Sequence, residues 1–139
     1  MNRTHWPPIM AALGMVSAVA YAVDTDEIVK YRRNLMDANG GLMGACNAVL
    51  QNKVSDQTRL AGFAQALGTL NRNIATQFPP GSASPDSDAL PDVWTRRAEF
   101  ERRAKDAESK ASVFGKTPSA AAFADLSAAC KGCHKDFRK

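Results

Sequence analysis

The 139-residue chain has few of the residues that usually carry out catalysis, and it has few aromatic side chains. Phe, Trp and Tyr together make up 7% of the sequence, and histidine occurs only at His5 and His134. It has no Ser-His arrangement for nucleophilic catalysis, no second imidazole near the first for acid-base chemistry, and no phosphate-cradling loop. We therefore expect a protein that is not an enzyme. No stretch alternates between apolar and polar residues with a period of two, so no β-sheet is predicted.

Clustered charge of one sign is also missing. The formal net charge is +4, but the charged residues are spread along the chain rather than gathered in a basic patch or tail. The arginine-rich run over residues 96–105 could be a docking patch, but it is more typical of the solvated outer face of a helix. We expect no nucleic-acid partner.

A hydrophobic run long enough to cross a membrane is absent, although a shorter apolar run lies within the first 22 residues. Arg3 gives a short cationic start, residues 9–20 are apolar, and residues 20–22 read Ala-Tyr-Ala, a small-x-small cleavage site. The apolar run is shorter than the roughly 20 residues that a membrane-spanning helix needs. We therefore expect a cleaved signal peptide over residues 1–22, a mature domain over residues 23–139, and no membrane attachment after cleavage.

Apolar residues recur at helical spacing in four segments of the mature chain. The four stripes are Ile28, Tyr31, Leu35, Leu42, Cys46 and Val49; Leu60, Phe63, Leu67, Leu70 and Ile74; Phe100, Ala104, Ala107, Ala111 and Phe114; and Phe123, Leu126, Cys130, Cys133 and Phe137. Pro91 and Pro118 predict the first turns of the third and fourth helices, the latter with Thr117 as its cap. A proline-bearing loop over residues 78–88 separates the second helix from the third. The pattern predicts an all-α, antiparallel up-down four-helix bundle.

Near its C-terminus the sequence reads Cys-Lys-Gly-Cys-His over residues 130–134. This is the C-x-x-C-H pattern of covalent haem attachment, in which two thiols bind one haem and the next residue places an imidazole at the iron. Because Cys130 and Cys133 fall on the apolar stripe of the last predicted helix, the haem would lie inside the bundle. We expect one covalent haem c, with His134 as axial iron ligand.

Two other uses of the cysteines are weaker. A thioredoxin-like dithiol belongs in a βαβ context with its first cysteine at a helix start, which is missing here. A structural zinc site would have to use Cys46, Cys130, Cys133 and His134, and adjacent residues 133 and 134 make tetrahedral closure awkward. Cys46 lies on an apolar stripe, so a buried, inert thiol is expected there.

Removing the signal peptide leaves a single histidine, so two histidines from one chain cannot bind the iron. Met36 and Met43 are the remaining methionines. The sixth iron position is therefore filled by methionine, filled by a weak or non-bonding group, or open. Arg32 lies one helical turn before Met36, so it could reach a carboxylate at the haem rim, or it could be an ordinary solvated arginine.

The whole mature chain resembles the cytochrome c′ family, the class II c-type cytochromes. The resemblance rests on the haem motif near the end of an exported four-helix bundle and on three further segments, residues 30–36, 88–94 and 134–138. It implies that His134 is the proximal ligand and that Met36 covers the distal face. It also implies that Arg32 and Arg33 lie by the haem edge, that Asp88 borders the propionates and that Arg138 shields the proximal side. Arg33 departs from the glutamine common at its position.

The resemblance leaves two behaviours open. Most members keep a five-coordinate, high-spin iron beneath an apolar residue, and a smaller group binds a methionine sulfur and carries electrons only. We expect single-electron transfer in the periplasm with a redox partner protein. The alternative is binding of nitric oxide or carbon monoxide beneath Met36. A homodimer is expected from the family, and Gly40, Gly41 and Gly44 would permit close helix approach there or within the bundle.

Overall fold

The computed structural model describes residues 24–139. Within that range the chain forms five α-helices and one 3₁₀ turn, and four of the α-helices are long. Their bounds are α1 Thr25–Leu50, α2 Gln57–Leu70, the 3₁₀ turn Ile74–Gln77, α3 Asp92–Thr95, α4 Arg97–Lys116 and α5 Ala120–Phe137. The predicted signal peptide lies outside the described residues.

In the first half of helix α1, the buried face is rotated relative to the predicted stripe. The side chain of Asp24 accepts a hydrogen bond of 2.9 Å from the Asp26 N–H, which satisfies one free donor of the first turn. Tyr31, predicted on the inward stripe, is 53% exposed, whereas the neighbouring Arg32 is buried. The solvated interpretation of Arg32 is therefore wrong, because its guanidinium finds hydrogen-bond partners inside the fold.

Helix α2 ends earlier than its apolar stripe predicts. Ile74 lies in the 3₁₀ turn rather than in the helix. The side chain of Asn71 donates to the Leu67 carbonyl at 2.8 Å, and Asn73 follows in the left-handed conformation with φ 54°. An asparagine side chain that satisfies helix carbonyls competes with helix continuation, and asparagine tolerates the left-handed region. The turn therefore forms here.

The predicted third helix is two helices. Arg96 has φ −107° and ψ 42°, outside helical values, and it separates α3 from α4. Its N–H still donates to the Asp92 carbonyl, and its guanidinium pairs with the Asp92 carboxylate at 3.0 Å. The break changes the direction of the chain between the loop and the long helix, which periodicity over a short segment does not reveal.

Helix α5 is capped two residues later than predicted. Thr117 closes α4, since its N–H donates to the Val113 carbonyl. The N-cap of α5 is Ser119, whose Oγ accepts a hydrogen bond of 3.2 Å from the Ala122 N–H. The prediction of Thr117 as the cap is therefore wrong, and serine is at least as good a cap as threonine.

The four long helices run up and down in antiparallel order, which confirms the predicted bundle. At the α2–α4 crossing, an added Cβ on Gly115 would lie 3.1 Å from the Ala64 carbonyl oxygen, and one on Gly68 would lie 3.4 Å from that of Ala111. Close helix approach within the bundle therefore occurs between α2 and α4. At Gly40, Gly41 and Gly44 no atom of another described residue lies within 4 Å of an added Cβ. Within residues 24–139, none of the helices is long and apolar enough to cross a membrane.

One end of the bundle is filled with apolar side chains, and we call it the closed end. All four long helices contribute to it. Its buried residues are Cys46, Val49, Leu60, Ala64, Leu67, Ala111, Phe114 and Leu126. At the other end, the cavity end, the first half of α1 and the second half of α5 are separated by a cavity.

Candidate haem site

Helix α5 carries the haem motif along the wall of this cavity. Cys130 packs against the closed-end core. Cys133 packs against a second buried cluster at the cavity end, which is formed by Phe78, Val93, Phe100 and Phe137. Both thiols are therefore partly buried at the junction of the two clusters, on one face of one helix. Burial raises the pKa of Cys133 to about 11, with the neighbouring Cys130 adding to the effect.

His134 lies at the mouth of the cavity. Loss of hydration lowers the pKa of the imidazole, and the charge of Arg138 lowers it further. Both effects favour the neutral ring, which is the form that binds a metal.

The cavity has a volume of about 350 Å³ and lies between α1, α4 and α5, with residues of the loop at its edge. Its inner wall is mainly apolar, with Val93, Phe100, Ala104 and Ala107 among the lining residues. The cavity is lined by all eight residues for which the sequence predicts a position near the haem. They are Arg32, Arg33, Met36, Asp88, Cys130, Cys133, His134 and Arg138.

Arg32 is the most unusual of these residues, because its guanidinium is buried without a carboxylate partner among residues 24–139. Its Nη1 donates to Ser82 Oγ at 2.9 Å, and its Nη2 donates to the Ser82 carbonyl at 3.1 Å and to Ser87 Oγ at 3.4 Å. The same group lies over the Phe78 ring, 4.7 Å from its centroid. Burial lowers the pKa of Arg32. A buried cation held only by neutral groups favours an anion beside it.

The other charged candidates close the outer edge of the cavity. Arg33 is exposed and donates to the Asp86 carbonyl at 2.7 Å. Arg138 pairs with Asp88 at 3.3 Å, and both side chains are more than half exposed. Near them the Lys139 N–H donates to the Asp88 carbonyl at 2.9 Å. The end of the chain is thereby held against the loop, and the charges of Arg138 and Asp88 lie at the cavity rim.

Two asparagines on the cavity wall were missed by sequence reasoning. Asn71 is buried, and its Nδ2 donates to Asn39 Oδ1 at 2.7 Å. Asn39 in turn donates to the Leu35 carbonyl at 3.0 Å. Asn39 lies three residues after Met36, so helical spacing alone could have placed it on the same side. The wall near Met36 therefore includes a bonded pair of amides.

The cysteines do not gather with other ligands in the manner of a structural zinc site. Cys46 is fully buried in the closed-end core, and its burial raises the pKa of the thiol. Across residues 24–139 no group of three or more His, Cys, Asp and Glu side chains is arranged to hold a metal ion. The three cysteines are free thiols, and only Cys130 and Cys133 line the cavity.

The residues of the cavity fit a haem. Its walls are apolar, two thiols with C-x-x-C spacing lie on one side, an imidazole follows them, and the buried cation of Arg32 would suit a propionate. Comparison with known proteins points the same way. The family model described as cytochrome c′ matches residues 27–138.

Individual relatives match this chain over nearly their full length. Cytochrome c′ of Pararhodospirillum photometricum is 28% identical over 119 residues, covering 80% of this chain and 95% of that protein. Cytochrome c-554 of Cereibacter sphaeroides is 28% identical over 147 residues, covering 96% of both chains. Among solved structures, the nitric oxide complex of a cytochrome c prime mutant from Alcaligenes xylosoxidans matches with a TM-score of 0.75 at 25% identity. That match covers 84% of this chain and 97% of the other.

The fold and the matched family define a c-type haem protein built as a helix bundle. This chain belongs to the cytochrome c′ family.

Proposed function

We propose that the cavity holds one haem c, attached covalently to Cys130 and Cys133, with His134 as axial ligand to the iron. The observation that supports this is the convergence of α1, the loop and α5 on one cavity, which brings together eight residues chosen from sequence alone. The haem supplies one-electron redox chemistry when it is bound. We propose that the protein transfers single electrons in the periplasm, to or from a redox partner protein, and turns over no substrate.

The residues of the chain have distinct tasks in this proposal. The two thioethers fix the orientation of the group, and the apolar side chains of α4 exclude water from it. Arg32 holds a propionate with its buried charge, and the Asp88–Arg138 pair closes the outer edge. Excluding water around the iron limits the reorganisation of solvent that accompanies each electron transfer.

The test is the mass and colour of the protein exported with its signal peptide from a host that attaches haem. Attachment adds the mass of one haem to the wild type and gives a covalent c-type spectrum. The Cys130→Ser and Cys133→Ser double variant loses both. A colourless wild type would contradict the proposal. The Cys46→Ser variant is the matched control, because Cys46 lies outside the cavity and keeps the haem in this proposal.

Binding of nitric oxide or carbon monoxide is a second candidate. Met36 and Met43 line the same cavity, and the solved relatives include a nitric oxide complex and a carbon monoxide complex of cytochrome c prime from Alcaligenes xylosoxidans. An uncharged diatomic could enter by displacing the flexible Met36 side chain. If the Met36 sulfur binds the iron, the site is closed to such ligands and the reduction potential rises.

An absorption spectrum separates the two candidates. Sharp α and β bands with a sulfur-to-iron charge-transfer band indicate Met36 ligation, and these bands are lost in Met36→Ala. A high-spin spectrum that changes on addition of carbon monoxide indicates an open position. Met43→Ala is the control, since Met43 lies two helical turns further along α1 and both methionines cannot bind one iron.

A homodimer is part of the proposal. Gly40, Gly41 and Gly44 are exposed on α1, and among the described residues 24–139 no atom beyond the helix itself lies within 4 Å of a Cβ added to any of them. They are therefore free to allow close approach of a second copy, and sedimentation of the haem-loaded protein gives its oligomeric state.

A further inference from the structure

Arg103 links α4 to the part of α5 that carries the haem motif. Its Nη2 donates to Asp136 Oδ2 at 2.9 Å, across the interface of the two helices. An added Cβ on Gly132, between the two motif cysteines, would lie 3.4 Å from Arg103 Nη1. The guanidinium therefore lies directly against the turn that holds Cys130 and Cys133.

The neighbouring arginines of this region behave differently. Arg97 pairs with Glu101 on its own helix at 2.8 Å, and Arg102 lies 3.9 Å from Glu99 with its side chain 67% exposed. Arg103 is the residue of α4 whose ion pair, among residues 24–139, crosses to α5. It is the charge of α4 that is fixed beside the haem motif.

Stability alone does not explain this arrangement. The Nε of Arg103 is buried and has no hydrogen-bond partner in the part of the chain that the structure describes. A buried donor without an acceptor costs free energy, and most buried polar groups avoid it. The two side chains are also about one third and one quarter exposed, and partly exposed ion pairs contribute little to stability.

We propose that Arg103 is a positioning residue for the haem: it holds the Cys130–His134 turn against α4 and places a fixed positive charge beside it that raises the reduction potential. The inference rests on the proposed haem attachment. Reduction adds an electron to the site, so a nearby cation stabilises the reduced form and a nearby anion destabilises it. Asp136 fixes the guanidinium and partly offsets its charge.

The test is the midpoint potential of the haem-loaded protein, measured by spectroelectrochemical titration. Arg103→Gln lowers the potential, with a severalfold decrease in the one-electron equilibrium constant, where tenfold corresponds to about 59 mV. Asp136→Asn raises it, and the double variant returns towards the wild-type value. Arg103→Lys keeps the charge, so its midpoint potential stays close to that of the wild type. Arg102→Gln is the matched control and leaves the potential unchanged.

A role limited to holding the two helices together gives a different result. Both single variants break the same ion pair, so loosened packing moves their potentials in one direction, and that outcome overturns the proposal. Equal shifts in Arg102→Gln and Arg103→Gln also overturn it. If Arg103→Gln fails to fold, Asp136→Asn still tests the sign, because a potential lower than that of the wild type overturns the proposal. A wild type without haem overturns the proposed function and this inference together, whereas haem attachment with shifts of one sign overturns the inference alone.

Discussion

The two ends of the bundle are formed by the same four helices but bury different kinds of side chain. At the closed end, buried side chains such as Leu67, Phe114 and Leu126 are apolar and touch one another across α2, α4 and α5. At the cavity end, the buried set includes the polar residues Arg32, Asn71, Ser82 and Ser87. A filled apolar core needs no cofactor for its stability. The cavity end places around the cavity two thiols and the guanidinium of Arg32, which has no carboxylate partner among residues 24–139.

Helix spacing differs in the same way. Glycines on α2 and α4 bring these helices together beside the closed end, whereas the glycines of α1 allow no such contact among residues 24–139, and Gly40 lines the cavity. We infer that the closed end sets the stability of the bundle and that the cavity end sets its chemistry. Substitutions at each end should therefore affect different properties of the protein.

The largest effect is expected from truncating the closed end. Phe114 is fully buried and packs edge to face against Phe123, with 5.6 Å between the ring centroids. Phe114→Ala should lower the free energy of unfolding by about 3–5 kcal/mol, because it removes apolar contact and leaves a cavity. Denaturant unfolding followed by circular dichroism measures this loss. Val113→Ala, at a position 53% exposed, should change stability by no more than about 0.5 kcal/mol, and similar losses in the two variants would contradict the division.

At the cavity end, two adjacent arginines form a matched pair. Arg32→Met removes the hydrogen bonds that tie buried Ser82 and Ser87 to α1, so it should cost about 1–3 kcal/mol and speed amide exchange across the loop over residues 79–88. Arg33→Met removes one exposed bond to the Asp86 carbonyl, and it should cost no more than about 0.5 kcal/mol. Hydrogen exchange and denaturant unfolding measure both. Equal behaviour of the two variants would show that burial of Arg32 has no energetic role.

Two glycine substitutions should have opposite signs. Gly115→Ala places a Cβ 3.1 Å from the Ala64 carbonyl, and the resulting displacement of α4 from α2 should cost about 1–3 kcal/mol. Gly41→Ala meets no atom of the bundle, so the better helix propensity of alanine should stabilise the monomer by up to about 1 kcal/mol. Thermal unfolding measures the two. If Gly41→Ala destabilises the protein and also weakens self-association, the glycine lies in a dimer interface.

The smallest effect concerns pH at the junction between the two ends. Glu108 accepts from Lys105 at 2.9 Å and from the Asn73 N–H at 3.4 Å, and these contacts, the lysine first, lower the pKa of its carboxyl below the ordinary value. A lowered carboxylate pKa stabilises the fold above the unfolded value, and this contribution is lost as the pH falls through the folded value. Glu108→Gln should therefore cost less than about 1 kcal/mol at pH 7 and nothing in strong acid. Asp106→Asn, with no ion-pair partner among residues 24–139, is the control in pH-dependent unfolding.

Much of the fold could be predicted because helical periodicity is a local property. The inward position of Cys46, Val49 and Leu126 follows from spacing alone, and all three are buried. The errors lie where local alternatives compete. Thr117 and Ser119 are both good caps, Ile74 continues a stripe that Asn71 and Asn73 end, and Arg96 interrupts a segment that looks continuous. A choice between such alternatives depends on tertiary contacts.

Residue type and short spacing are enough to identify the C-x-x-C-H motif at residues 130–134, the helical class and the candidate residues. Folding adds that Arg32 is buried rather than solvated, that Asn39 and Asn71 join Met36 on the cavity wall, and that Arg103 reaches Asp136. These features need residues 32 or 33 positions apart, or more, to meet. Which distant side chains share a space is set by how the helices pack, and packing is a property of the whole chain.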